Sequence, residues 1–303
     1  MTHRPAAIRR MVSYIIYRRR RFMSGIHLFH KHEDDNYVVK GSKTSRVGAP
    51  QYFIQWCYGV VEPVLTRFFD FLLRHESTRS LIGKSKESKI LPKCIVLSTA
   101  AVCKYIDYIY KIEGPRGARM GIGDCVCQLS LGRERQPKRK DMVLLYTADI
   151  YNNIVKTYEP IEDAEDAKAY IHDFHKAGLV HTALYCFNSG QWVFVLCNCD
   201  DEICVPPRAH LVGKPTMLPG PEIIELDEAK CVGLEKCGKC LERCILKASY
   251  ASGDKTGVDY LKCLGCGLCT STCRGEARKL KIRAEYKFDD IIAKKILLGD
   301  TPD

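Results

Sequence analysis

The 303-residue chain has no long apolar run that is free of charge. Its most apolar stretch, 52 to 73, is interrupted by Glu62, Pro63, Arg67 and Asp70, and charge at that depth makes a bilayer span costly. The stretch is predicted instead as a pair of buried or partner-facing helices broken near Pro63. A complete phosphate-binding loop is missing too: Gly83-Lys84-Ser85 has the right ending, but Thr78 stands where the first glycine is required. Gly121-Ile122-Gly123 lacks the third glycine of a dinucleotide fingerprint, and there is no C-x3-C-x2-C radical motif. With no nucleotide, flavin or radical signature, catalysis by this chain alone is not expected. No secretory signal precedes the cysteines, so a disulfide framework is not expected either. Acidic residues are absent from positions 1 to 32, which hold seven Arg and one Lys and supply most of the net charge of +11.

What the chain has in excess is cysteine, 17 in all. Eight lie in one stretch, as Cys231, Cys237, Cys240 and Cys244, then Cys263, Cys266, Cys269 and Cys273. The C-x2-C-x3-C spacing of Cys237, Cys240 and Cys244 recurs 29 residues later as Cys266, Cys269 and Cys273. Cuboidal iron-sulfur clusters need this pattern, with three thiolates from one tight loop and a fourth from elsewhere. Paired zinc sites are the rival, but zinc ribbons usually carry two C-x2-C pairs without the additional C-x3-C cysteine.

These motifs resemble the two-cluster, bacterial-type ferredoxin domain, a βαβ-βαβ unit with pseudo-two-fold symmetry. The resemblance implies two [4Fe-4S] clusters with crossed ligation: Cys231, Cys237, Cys240 and Cys273 on one, Cys263, Cys266, Cys269 and Cys244 on the other. Two departures stand out. The first loop carries three extra residues, and Ile245 and Arg274 replace the proline that usually follows each fourth cysteine. Neither removes a ligand.

Upstream, Ser98 is placed to cap a helix with Val102, Tyr105, Ile106 and Ile109 on one face. Arg133 to Lys140 reads as a solvated basic loop, followed by a strand from Met142 to Tyr146. Ala164, Ala167, Ile171 and Phe174 mark a helix ending at Gly178, and two strands follow, Leu179 to Cys186 and Trp192 to Cys199. Helix then hairpin is the order of winged-helix domains, and equally a plain packing motif. Alternate residues of an extended chain share a side, so Cys125 with Cys127 and Cys197 with Cys199 could each present two thiols. They form a candidate third metal site, for a third [4Fe-4S] cluster or zinc, with Cys204 and Cys186 as substitutes. The alternative is that these are small buried residues. Cys57, Cys94 and Cys103 read as core, and His175 and His181 as hydrogen-bonded structural groups.

Ile90-Leu91-Pro92, Asp124-Cys125-Val126-Cys127, Gly178 to His181, Cys197-Asn198-Cys199 and the double motif together resemble a family of anaerobe proteins. These carry a cysteine-rich N-terminal region before a dicluster ferredoxin domain. Gln128, Asp200 and Asp201 depart from that family, which has Arg after C-x-C and further cysteines after C-N-C.

The expected fold is α+β: a basic helical region and linker over 1–88, a cysteine-containing, winged-helix-like domain over 89–220, and a ferredoxin-like dicluster domain over 221–303. A terminal helix with Phe288, Ile291, Ile292 and Leu297 is expected to cover the cluster unit or a partner. The expected function is electron transfer to or from a larger oxidoreductase, in the cytoplasm or at the inner face of the membrane. Ile8, Met11, Val12, Ile15 and Ile16 mark a basic amphipathic helix, read first as a peripheral helix with a solvated face and alternatively as one that contacts an acidic partner or an anionic membrane. The alternatives are a redox-sensing, DNA-binding regulator and a catalytic metal subunit.

Overall fold

The computed structural model describes residues 37–40, 43–46, 49–83, 93–112, 119–154, 156–185, 193–214, 216–287 and 296–297. The basic N-terminal helix, Cys186 and the turn at 188–190 lie outside them. A hairpin of β1 (Tyr37–Lys40) and β2 (Lys43–Arg46) precedes helices α1 (Ala49–Arg74) and α2 (Glu76–Gly83). Then come β3 (Lys93–Leu97), α3 (Thr99–Lys111), β4 (Met120–Asp124), α4 (Val126–Leu131), β5 (Arg139–Leu144), α5 (Leu145–Asp149) and β6 (Tyr158–Ile161). The middle of the chain continues through α6 (Ala164–Lys176), β7 (Val180–Tyr185), β8 (Val193–Cys199), α7 (Val205–Leu211) and β9 (Met217–Leu218). The cysteine-rich part holds β10 (Glu222–Leu226), α8 (Lys239–Glu242), β11 (Ser249–Ser252), β12 (Lys255–Val258) and β13 (Arg278–Ile282).

The chain is a mixed α+β protein. Among the described residues, seven strands form one sheet in the order β6-β4-β5-β8-β7-β3-β9, antiparallel except for the β3/β9 pair. Its strands read as almost continuous apolar runs because both faces are covered. Ile95, Leu97, Met142, Ala183 and Leu196 point to the side roofed by Val102, Tyr105, Ile106 and Ile109 of α3 and Ile171 and Phe174 of α6. Cys94, Val96, Val143, Leu184 and Val195 point the other way, into a core shared with Tyr52 of α1 and with Ile245, Leu246, Leu264 and Leu268 from the cysteine-rich part.

The Ser98 side chain caps α3 by accepting from the Ala101 N–H at 3.1 Å. The glycines of β4 are explained by packing: a Cβ at Gly123 would come within 2.6 Å of the Tyr158 ring, and one at Gly121 would strike the Asn152 side chain. In the cysteine-rich part, β10 pairs antiparallel with β13 and β11 with β12, as two separate ladders.

Several sequence expectations change. α1 is one helix that runs through Pro63. It is clamped on both sides of the proline, by Tyr52 Oη donating to Asp149 at 2.9 Å and by Asp70 pairing with Arg208 at 2.5 Å, so the lost backbone bond does not break it. Part of the linker expected before residue 89 is helical, since α2 runs to Gly83. The strand expected at Met142 to Tyr146 is β5, which starts at Arg139 and gives way to α5 at Leu145. Lys140, read as part of a solvated loop, lies in β5 and is buried. The helix-then-hairpin order is present, but β7 and β8 are interior strands flanked by β3 and β5 rather than a freestanding wing. Residues 288–295 lie outside the description, while Ile296 and Leu297 pack into the α3 side of the sheet, not onto the cysteine-rich part, with Lys104 donating to the Leu297 carbonyl. No helix among the described residues is long and apolar enough to cross a membrane.

His181 is buried in β7, and burial, opposed by its bond to Asn198 and reinforced by His175 and His172, lowers its pKa from 6.5 to about 4. The unfolded chain therefore binds this proton before the folded chain does. The associated stability is whole above pH 6.5 and is lost as pH falls towards 4, by up to about 3 kcal/mol. His181→Gln is expected to flatten this acid limb in denaturant titrations between pH 7 and 4; an unchanged slope would count against the assignment.

Candidate metal centres

The eight C-terminal cysteines surround two cavities. Cys244, Cys263, Cys266 and Cys269 line one, and Cys231, Cys237, Cys240 and Cys273 line the other. Each cavity thus takes three thiols from one motif and one from the other. The local cause is the chain path: after each C-x2-C-x3 loop the last cysteine turns away from its own group. The Cys244 sulfur accepts from the Ala248 N–H at 3.2 Å, and the Cys273 sulfur from the Ala277 N–H, also at 3.2 Å. These bonds are 29 residues apart, as the cysteines are, so the sequence repeat is also a structural one.

The two cavities differ in polarity. The first is walled by Ile224, Leu246, Ala248, Val258, Leu264 and Leu268, and burial pushes the Cys269 thiol up to about 11 and raises Cys266 further. The second is walled by Gly233, Gly238, Thr256, Arg274 and Gly275. There the Gly233 N–H holds the Cys231 thiol below its ordinary range, and the Thr256 hydroxyl lies 3.3 Å from the Cys240 sulfur. Arg278 is buried and lines both cavities. Its guanidinium donates to Ser249 Oγ and Thr256 Oγ1, each at 3.0 Å, and to the Gly257 carbonyl at 3.1 Å.

A third group of sulfurs sits at one end of the large sheet. Cys125 follows β4, Cys127 is in the first turn of α4, Cys197 and Cys199 end β8, and Cys204 precedes α7. The sulfurs of Cys125, Cys127 and Cys204 all lie within 4.8 Å of one another. Cys125, Cys127 and Cys199 each hydrogen-bond the Cys204 sulfur, which holds that thiol well below its ordinary range despite burial. Cys197 also packs against this cluster and bonds Asp141 and Cys199.

Charge beneath this group is paired. Lys140 Nζ donates to Asp200 Oδ2 at 2.5 Å and lies 3.6 Å from the Cys204 sulfur, both side chains being at most 2% exposed. Asp200 also accepts from the N–H groups of Glu202 and Ile203, at 3.0 and 2.7 Å, and so shapes the loop that carries Cys204. Asp141 accepts from the Val126 N–H at 2.9 Å, yet burial outweighs this and raises its carboxyl to about 7. Gln128 ties down the loop after α4 by donating to the Arg135 carbonyl and accepting from the Arg135 N–H.

Cys94 is fully buried, and Cys57 and Cys103 are half-buried. His175 and His181 are both engaged, at 2.8 and 3.2 Å from Thr99 Oγ1. Sequence reasoning missed Lys140, Asp200, Thr256 and Arg278. Arg278 had one available signal: it stands 29 residues after Ser249, the residue it bonds, so it breaks the repeat with a buried charge. No protein-family model, curated protein or solved structure matches the chain.

Lys140→Met would leave Asp200 buried without its cation and is expected to cost about 3–5 kcal/mol in denaturant unfolding. Adding Asp200→Asn, which keeps an acceptor for the loop N–H groups, should recover part of that loss. Simple additivity of the two substitutions would rule out the pair as a coupled unit.

Proposed function

We propose that this chain is an electron-transfer protein that holds two [4Fe-4S] clusters in its C-terminal part and passes electrons to or from a larger oxidoreductase. The observation that carries the reading is the pair of cavities, each ringed by four thiols drawn crosswise from the two motifs. The residues fit the group: thiol sulfurs face a shared void, and backbone N–H groups already bond two of them. The antiparallel pairing of β10 with β13 and β11 with β12 around the repeat supports a ferredoxin-like arrangement.

When bound, such clusters supply one-electron redox chemistry, and the protein supplies position and electrostatics. Backbone amides at Cys244, Cys273 and Cys231 stabilise negative charge on sulfur. Arg278 places a fixed cation between the two cavities, where added negative charge on either side is favoured. Leu246, Leu264 and Leu268 keep water from the inner cavity. The partner is a redox protein, and the proposed setting is the cytoplasm of an anaerobe.

Protein purified anaerobically without reconstitution is expected to contain about eight iron and eight acid-labile sulfide per chain. Zinc without sulfide at these cysteines would overturn the reading. Arg278→Gln is expected to shift both midpoint potentials negatively, on the order of tens of millivolts, because a cation near each reduced cluster is lost. Unchanged potentials in a folded variant with full iron content would remove Arg278 from that role.

A further inference from the structure

We propose that Cys125, Cys127, Cys199 and Cys204 form a third metal site of a different kind, a closed four-thiolate site for a single zinc-class ion. Spacing decides between one ion and a third cubane. At a zinc–sulfur distance of about 2.3 Å, tetrahedral geometry sets the sulfurs about 3.8 Å apart. A cuboidal cluster has its own iron and sulfide core between the ligands and holds the thiolates farther apart.

The same chain provides the comparison. The cysteines around each of the two C-terminal cavities ring a shared space, and no three of their sulfurs form a group within 4.8 Å. Among the described residues, Cys125, Cys127 and Cys204 are the set of thiol, imidazole or carboxylate groups that does close to that spacing. Their sulfurs converge on a point rather than around a cavity.

Cys199 lies outside the group that closes to 4.8 Å but is buried in one cluster with Cys125 and Cys204, and it supplies the fourth sulfur. Cys197 is its neighbour on the same side of β8, but it is engaged by Asp141, its cross-strand partner. The surroundings suit a closed, anionic site. Four thiolates on a divalent ion carry a net charge of −2; the Lys140 ammonium lies 3.6 Å from the Cys204 sulfur, and the Asp200 carboxylate that pairs with it lies 3.5 Å from the same sulfur, so the buried pair orients a donor towards the site without adding net charge. Soft thiolate ligands select zinc over the harder divalent ions. With four protein ligands no coordination position is left open, so the site is structural: it staples the β4–α4 connection to the β8–α7 connection.

α1 lies across both connections. Arg67 donates to the Ser130 carbonyl in α4, Asp70 pairs with Arg208 of α7, and Leu72 and Leu73 pack on Ala209. The ion would therefore hold together the platform on which α1 rests.

Metal analysis and zinc K-edge X-ray absorption on the full chain, purified anaerobically, test this separately from the cluster reading. About one zinc per chain with about four sulfurs near 2.3 Å is expected, whatever the iron content. Cys204→Ser and Cys199→Ser should each lower zinc severalfold while iron and sulfide stay at the wild-type level, and Cys197→Ser should retain zinc. About twelve iron and sulfide in the wild type, falling to about eight in Cys204→Ser, would overturn the proposal in favour of a third cluster. Wild-type protein without zinc, or zinc loss in Cys197→Ser but not in Cys199→Ser, would overturn the site or its ligand set. Because the spectrum is taken on unmodified protein, misfolding of a variant does not remove the test. Zinc at this site in protein lacking iron and sulfide would support the inference and overturn the cluster reading alone.

Discussion

The burial of one face of the seven-stranded sheet by the cysteine-rich part is the interaction on which the rest of the structure depends. Val96, Val143, Leu184 and Val195 need a cover, and Ile245, Leu246, Leu264 and Leu268 provide it. Ile245 and Leu246 directly follow Cys244, and Leu264 and Leu268 lie within the second cysteine loop, so the residues that close the sheet also shape a thiol cavity. Ile245 is buried in the core beneath the sheet. A β-branched apolar residue there serves packing onto a sheet, which a freestanding cluster domain does not need. Gly220 and Gly265 mark how close the backbones come: a Cβ at either would lie 1.9 Å from a carbonyl oxygen, of Val96 and Glu222 respectively.

On the other face, a chain of hydrogen bonds joins the two parts. Asn198 Nδ2 donates to the Lys140 carbonyl at 2.7 Å, which turns its Oδ1 towards His181 Nδ1 at 2.6 Å. His181 must then carry its proton on Nδ1 and accept from Thr99 through Nε2. Thr99 accepts from His175 Nδ1, which leaves His175 Nε2 to accept from Ser271 Oγ at 2.7 Å. One fixed acceptor, a backbone carbonyl, thus sets the direction of every bond in the chain. It runs from the loop between Cys269 and Cys273 to the residue between Cys197 and Cys199. The low pKa of His181 comes first from its burial, which the bond to Asn198 in this arrangement partly opposes.

The parts of this architecture that were legible in the sequence are those set by local spacing. The 29-residue repeat, the Ser98 cap and the apolar face of α6 each depend on residues a few positions apart. What could not be read depends on distant partners. Lys140 sits in a run of basic residues, and only the fold brings Asp200, sixty positions away, against it. Strand alternation rightly puts Cys197 and Cys199 on one side of β8, but alternation does not say which of the two a neighbouring strand will occupy. Asp141 is paired with Cys197 in the ladder, while Cys204, expected as a substitute, lies with Cys125 and Cys127 in the group within 4.8 Å. Pro63 is a comparable case: helix propensity argues for a break, and contacts to α4, α5 and α7 on either side override it.

On the proposed electron-transfer reading, the two cavities cannot be equivalent. The one lined by Cys263, Cys266 and Cys269 is pressed against the sheet and walled by aliphatic side chains, with Cys263 and Cys269 buried. The one lined by Cys231, Cys237 and Cys240 is walled by glycines, Thr256 and Arg274, and its four cysteines are all half-exposed. Reduction adds negative charge, which backbone dipoles, hydroxyls and nearby water stabilise and an aliphatic wall does not. Arg278 favours both sites, so it does not remove the difference. The outer site is therefore the one at higher potential and the one reachable by a partner, and the inner site is the one coupled to the sheet. The three extra residues of the first loop lie between Cys231 and Cys237, on the outer site alone.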